Sequence, residues 1–301
     1  MQINELKPYL EMKPWGGQYL ATQKRIKINS NQENQLGETW EVSAYPNKES
    51  QLLGSENFPQ IDYLVKFIDT SDFLSVQVHP HEEYAHKYEN DHGKDECWLI
   101  LKSKPDSCLY LGLKKNCGKE EFYQAVKENK SILKYLNKVK VKAGDFFIIP
   151  TGLVHAIGPG ITLVETQTSS GVTYRIWDWG RVDSKGNSRE LHIEKAIDVI
   201  NFEHNFNKKY SSAQLKNIFR DYHSALLIDD YGFRKSFVSL NKNQKISLDL
   251  KPGNSIVVLK GKMKCKGKKL LAFKSYFIGD KSQYNLQAEE KSQFLIIGSS
   301  E

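Results

Sequence analysis

Apolar and polar positions alternate over short runs along most of this chain. Runs at 37–43, 63–68, 74–78, 96–101, 145–149, 161–167 and 173–179 are rich in β-branched and aromatic residues, with Gly, Pro, Asn and Asp between them. Period-two alternation bounded by turn residues predicts strands. So many in succession predict a mainly β chain built as a sandwich or barrel of the jelly-roll kind. One stretch has a different period. Between 119 and 137, Phe122, Val126, Ile132, Leu133 and Leu136 recur at roughly helical spacing among charged residues, which predicts a small helical insertion. A second helix is expected at 193–200, where Ala196, Ile197, Val199 and Ile200 can face a core. Residues 201–214, rich in Asn, Lys and Ser, read as a linker, and 234–299 returns to short alternating strands. The expected organisation is a larger domain over 1–214 and a smaller β-domain over 215–301.

Composition narrows the class. With 39% hydrophobic and 26% charged residues, the chain is globular rather than disordered. No apolar run approaches the ~20 residues of a membrane helix. The first thirteen residues mix Glu5, Lys7, Glu11 and Lys13 with scattered apolar positions and lack a signal-peptide core, so a cytoplasmic protein without membrane partners is expected. Cys97, Cys108, Cys117 and Cys265 form no CxxC pair, which argues against a disulfide framework and a finger-type zinc site; Cys97 reads as a packed thiol. The net charge of +7 raises the question of nucleic acid. Yet the densest lysine cluster, at 260–269, alternates with Gly, Met and Cys as the solvated face of a strand would, and no recognition motif accompanies it. A small anionic ligand suits the charge better.

Four pieces of the chain carry candidate chemistry. In a strand through Ser75-Val76-Gln77-Val78-His79, the residues Ser75, Gln77 and His79 share one face and the valines the other. Lys94 and Glu96 share a face at the start of an apolar strand. A strand ending at Ile149 runs through Pro150-Thr151-Gly152 to His155. Glu165 and Arg175 fall on successive strands. Imidazole nitrogen and carboxylate oxygen suit zinc, and a Gln amide oxygen adds a neutral donor. Gln77, His79, Glu96 and His155 with Zn2+ would carry net charge +1, fitting an anionic or polyhydroxylated substrate. By contrast, His81, His86 and His92 sit in a charged stretch and read as solvated positions rather than ligands, and His192 reads as a capping or surface residue.

At this point the pattern resembles the cupin superfamily. Gly144, Pro150, Gly152 and His155 match its second motif, with Gly158 where an Asn is usual. In the first motif Gln77 and His79 stand at the histidine positions and Glu96 follows after an insertion, a departure that resembles type I phosphomannose isomerases in their short bacterial form. Trp15-Gly16-Gly17, Gly37-Glu38-Thr39-Trp40-Glu41 and Thr173-Tyr174-Arg175 are similar to that family too. The likeness is strong over 14–200 and rests on overall layout beyond. It implies a cupin jelly-roll catalytic domain over 1–214, with its helical insertion at 119–137, and a C-terminal β-sandwich or cupin-like domain over 215–301. It implies interconversion of mannose 6-phosphate and fructose 6-phosphate through a cis-enediol, with one zinc per chain on Gln77, His79, Glu96 and His155. Arg175 and Glu165 are implied as catalytic residues, and Lys66, Ser75 and Lys94 as substrate-binding ones. Trp15, Trp40, Trp177 and Trp179 are expected to pack rather than to touch sugar.

The proton shuttle is either Glu165, whose pKa burial can raise toward working pH, or a metal-bound hydroxide. A monomer or weak homodimer is expected. Two other readings stay open: a non-catalytic sugar-phosphate-binding cupin, which would not need Lys66, Lys94, Glu165 and Arg175 together, and another metal-dependent cupin enzyme such as an iron oxygenase, against which Gln77 speaks.

Overall fold

In a computed structural model the structure describes residues 2–28, 35–53, 59–128 and 130–300. Among the described residues, four antiparallel sheets are stacked face to face. A six-stranded sheet runs in the order Phe146–Ile149, Glu96–Ser103, Ile161–Thr168, Tyr63–Asp69, Gln35–Val42, Tyr9–Lys13. A five-stranded sheet runs in the order Tyr174–Trp177, Val76–Val78, His155–Ile157, Cys108–Leu113, Leu136–Lys140. The two face each other across Ile68, Trp98, Ile100, Leu111, Phe147 and Leu163, forming the cupin sandwich. Helices Lys119–Lys127 and Ile193–Val199 cover the outer face of the five-stranded sheet through Phe122, Val126, Ala196 and Val199.

The outer face of the six-stranded sheet packs Val65, Phe67, Cys97 and Phe146 on Phe233, Phe237, Val257 and Leu295 of a seven-stranded sheet. That sheet closes a second sandwich with four further strands around Ile256, Met263, Tyr284 and Phe294. Its makeup crosses the chain: the strand Ile3–Lys7 pairs with Ser275–Ile278, so N-terminal residues complete the C-terminal sheet. Within the lysine-rich stretch, the strand Lys262–Cys265 buries Met263 and Cys265 and turns its lysines outward, as the alternation predicts.

Two local expectations are corrected. The helical period at 119–137 is realised as an α-helix over Lys119–Lys127 and a single 3₁₀ turn at Leu133–Tyr135. Leu136–Lys140 is a strand that pairs with Cys108–Leu113, because Leu136-Asn137-Lys138-Val139-Lys140 alternates and a free sheet edge is available to it. The supposed linker contains the helix His204–Tyr210, which buries Tyr210 and Asn207. Asn207 accepts from the Leu113 N–H at 2.8 Å and donates to the Asn201 and Glu203 carbonyls, so a residue type that marks loops in sequence here splices a helix onto a strand end.

One polar node joins the two sandwiches. Glu41 is buried and pairs with Lys24 Nζ at 2.7 Å. It also accepts from Thr39 and from Ser275 on the seven-stranded sheet, while Lys24 donates to the Phe273 carbonyl at 2.6 Å. Removing one partner of a buried pair strands the other charge, at a cost of about 3–5 kcal/mol. Glu41→Ala is therefore expected to lose stability on that scale in urea unfolding, and Lys24→Met/Glu41→Leu together to recover most of it; a single variant within about 0.5 kcal/mol of wild type, the ordinary range for surface changes, would disprove the node's role.

Candidate active site

The site lies between the facing sheets, on two cross-strand rows. On the five-stranded sheet His155 pairs with Gln77, and Gln77 with Arg175. On the six-stranded sheet Trp98 pairs with Glu165, Glu165 with Lys66 and Lys66 with Trp40, while Glu96 pairs with Gln167. Paired residues project to the same side of a sheet, so these polar groups meet inside the sandwich.

The turn that delivers His155 depends on Gly152. It sits at φ +80°, and a Cβ there would lie 3.1 Å from the Val199 carbonyl. Its N–H donates to the His79 carbonyl at 3.0 Å, tying the turn to the other histidine. Gly158, where the cupin motif usually has Asn, follows from close backbone approach: a Cβ would stand 2.5 Å from the Cys108 carbonyl.

Both histidines are 1% exposed and both direct Nδ1 to a backbone carbonyl, His79 to Val172 at 2.9 Å and His155 to Leu153 at 2.8 Å. A carbonyl only accepts, so each Nδ1 carries its proton and each Nε2 presents a lone pair. Burial pushes His79 down to about 3, with the Lys94 charge adding to the effect, and burial likewise lowers His155; both rings are neutral, as metal ligands must be. His79 Nε2 lies 3.3 Å from Glu96 Oε1. Burial works against the charge on Glu96, but the Lys94 ammonium beside it outweighs burial and holds the carboxyl well below its usual range. The donor atoms of His79, Glu96 and His155 all fall within 4.8 Å of one another. The Gln77 amide meets His155 Nε2 at 3.2 Å.

These residues fit a zinc-like ion. Two imidazole lone pairs and a carboxylate converge, the outer nitrogens are oriented by backbone acceptors as ligating histidines require, and the Lys94 ammonium, 3.2 Å from His79 Nε2 and bonded to Glu96, already holds positive charge against the same atoms. Gln77 completes the set if its amide oxygen, rather than nitrogen, turns to the centre; the two atoms exchange by a simple rotation.

Above the donors opens a cavity of about 320 Å³, lined by Lys66, Ser75, Lys94, Glu165 and Arg175 together with Gln77 and Glu96. Every residue singled out from the sequence thus meets here, with His79 and His155 buried beside the lining. Glu165 Oε2 accepts from the Trp98 indole at 2.8 Å and Oε1 from Lys66 at 3.2 Å. Burial, then the charge on Glu96, raise its pKa, with Lys66 opposing. Lys66 also donates to Gln167 at 2.6 Å and lies over the Trp40 ring at 4.5 Å. Arg175 Nη1 donates to the Glu190 carbonyl at 2.7 Å, whereas its Nε is buried without a protein partner.

Several lining groups escaped the sequence reading. Trp98 joins the two acids, its indole also reaching Glu96 at 3.1 Å. It extends the Lys94, Glu96 face by two residues, so strand alternation was the available signal. Glu38 has a similar signal: it shares a strand face with Trp40, whose indole it accepts at 2.8 Å, and lies 3.9 Å from Lys66. Trp15, expected only to pack, also lines the cavity. Arg189, fixed by two bonds to Asp178, lies in a turn-rich segment with no periodicity to mark it.

No protein-family profile matches the chain. It is 37% identical over 215 residues to mannose-6-phosphate isomerase of Streptococcus mutans, covering 65% of this chain and 66% of that one. It is 38% identical over 220 residues to the probable mannose-6-phosphate isomerase GmuF of Bacillus subtilis, covering 66% and 68%. The matched part thus spans about two thirds of these relatives. In three dimensions the chain is similar to the crystal structure of mannose 6-phosphate isomerase from Bacillus subtilis, with a TM-score of 0.81 over 99% of both chains at 22% identity. A zinc-bound mannose 6-phosphate isomerase superposes with a TM-score of 0.71 over 100% of both chains at 14% identity, a likeness of fold alone.

Proposed function

The chain belongs to the mannose-6-phosphate isomerase family, and from that premise we propose that it interconverts mannose 6-phosphate and fructose 6-phosphate through a cis-enediol, with one zinc held by Gln77, His79, Glu96 and His155. The observation that carries this reading is the convergence of two Nε2 lone pairs and a carboxylate beneath a cavity that also holds Glu165 and Arg175. Bound zinc would supply Lewis-acid stabilisation of the oxygen charge that develops in the enediol.

The chain's own residues do the rest. Glu165 is the base, taking the proton from C2 of the aldose and delivering it to C1 of the enediol, while the hydroxyl proton passes from O2 to O1, so that C1=O is lost as C2=O forms. Burial, then the Glu96 charge, raise the proton affinity of Glu165, which strengthens it as a base, while the Trp98 N–H and Lys66 fix its two oxygens. Arg175 is a permanent cation whose unpartnered Nε offers a donor to the anionic substrate or the enediolate. Lys94, Lys66 and Ser75 bind substrate from the cavity wall. The same proposal includes a cytoplasmic setting and a monomer or weak homodimer. Among the described residues, no helix is long and apolar enough to cross a membrane.

A coupled assay tests the function. Purified protein is expected to turn over mannose 6-phosphate, to lose that turnover on removal of metal by a strong chelator, and to regain it with zinc. Undiminished rate after complete metal removal would refute the metal's role, and binding of the sugar phosphate without turnover would mean a non-catalytic binding protein instead.

A further inference from the structure

A second set of metal-ligating atoms meets on the surface. The helix Glu82–Glu89 carries Glu82 and His86 one turn apart, and His92 follows on the connection to the strand Glu96–Ser103. Both imidazoles close on one carboxylate oxygen: His86 Nε2 lies 2.9 Å and His92 Nδ1 2.8 Å from Glu82 Oε1. The three donor atoms fall within 4.8 Å of one another. The other carboxylate oxygen accepts the Gly93 N–H at 2.7 Å, which fixes the direction in which Oε1 points. His86 and His92 are solvated, as the sequence predicts, yet they are not scattered.

The surroundings carry a second argument. This cluster borders a cavity of about 660 Å³ to which Asp62, Glu82, Glu89 and Asp91 contribute carboxylates and, among the described residues, no lysine or arginine. In a chain of net charge +7 such a wall selects cations. Glu89 is matched by Lys195 from outside the wall at 2.7 Å and Asp91 is bonded by Tyr45; among the described residues, the Glu82 carboxylate meets the two imidazoles and the Gly93 N–H and no lysine or arginine.

We propose that Glu82, His86 and His92 form a second, surface site for a divalent d-block cation. Two imidazoles and a carboxylate are the donor set of zinc and its neighbours, leaving a fourth position to water. At metal–ligand bonds of about 2.0–2.2 Å, tetrahedral donors stand ~3.3–3.5 Å apart, so the present contacts need only open by about half an ångström. The ion would bind the first turn of the helix to residue 92 and so brace the connection that delivers Lys94 and Glu96 to the cavity. His92 and Gly93 already bond across to Ser170 and Thr168 there.

The test is a difference in metal uptake, which does not depend on the buried donor set or on isomerase activity. Zinc-loaded wild type and a His86→Ala/His92→Ala variant are dialysed against micromolar zinc and analysed for bound metal. Wild type is expected to hold one equivalent more than the variant, and Glu82→Gln to weaken that equivalent at least tenfold. Zinc is also expected to protect His86 and His92 of the unaltered protein from acylation by diethyl pyrocarbonate, a readout that needs no variant. Equal uptake by wild type and a folded double variant overturns the site, as does unprotected acylation at saturating zinc.

Discussion

His79→Ala is expected to release the tightly held metal and to lower turnover more than a hundredfold. The reasoning starts from orientation. His79 is aimed by the Val172 carbonyl and His155 by the Leu153 carbonyl, so each Nε2 is in place before any ion binds. Loss of an outer partner to a ligating histidine costs about 10–100-fold in affinity or activity, and loss of the ligand itself must exceed that. The substitution also leaves Glu96 with Lys94 alone as its charged partner, a pair that neutralises itself without a metal. Metal content after dialysis, kcat and circular dichroism check the outcome; a folded variant with a full equivalent of buried metal and ordinary turnover would rule out His79 as a ligand.

Glu165→Gln is expected to lower kcat by about 10²–10⁴, the range for loss of a positioned general base, with KM changed far less. Gln keeps the shape and can still accept from the Trp98 indole, but it cannot take up a proton. Its other consequence is electrostatic. Burial disfavours the Lys66 charge, and Glu165 is the first of the partners that raise its pKa, so the variant leaves that lysine on Glu38 and Gln167. A parallel Glu165→Asp enzyme, shortened by one methylene, retains the base and should recover part of kcat. Stopped kcat with unaltered KM identifies loss of the chemical step; wild-type kcat in Glu165→Gln would remove this residue from the proton path and return that role to the metal's own coordination sphere.

Both experiments turn on groups whose legibility differed. His155 was readable because a strand, a Pro-Thr-Gly turn and a histidine form one local unit, and the structure adds the positive φ of Gly152 as its cause. Gln77 and His79 were readable as neighbours on one face. Glu96 was readable as a polar position on a strand face but not as a neighbour of His79: the helix Glu82–Glu89 intervenes, and only the opposition of the two sheets brings its carboxylate 3.3 Å from His79. Trp98 was hidden for another reason. A tryptophan in an apolar strand predicts core, and it is core, but its single N–H also bridges two acids.

What the sequence determined by itself was local and periodic: which runs are strands, which face of each is polar, where the turns fall, and which side chains could bind metal. Alternation does this because successive side chains point to opposite sides. What only the tertiary structure decided was partnership. The Tyr63–Asp69 strand is buried along its whole length, so its pattern cannot say that Lys66 meets Glu165 while Phe67 meets the second sandwich. Nor can it say that Ile3–Lys7 would pair with a strand some 270 residues away, or that Glu82, His86 and His92 would share one oxygen. Such contacts arise from register and stacking between segments distant in the chain, and single-segment periodicity contains neither.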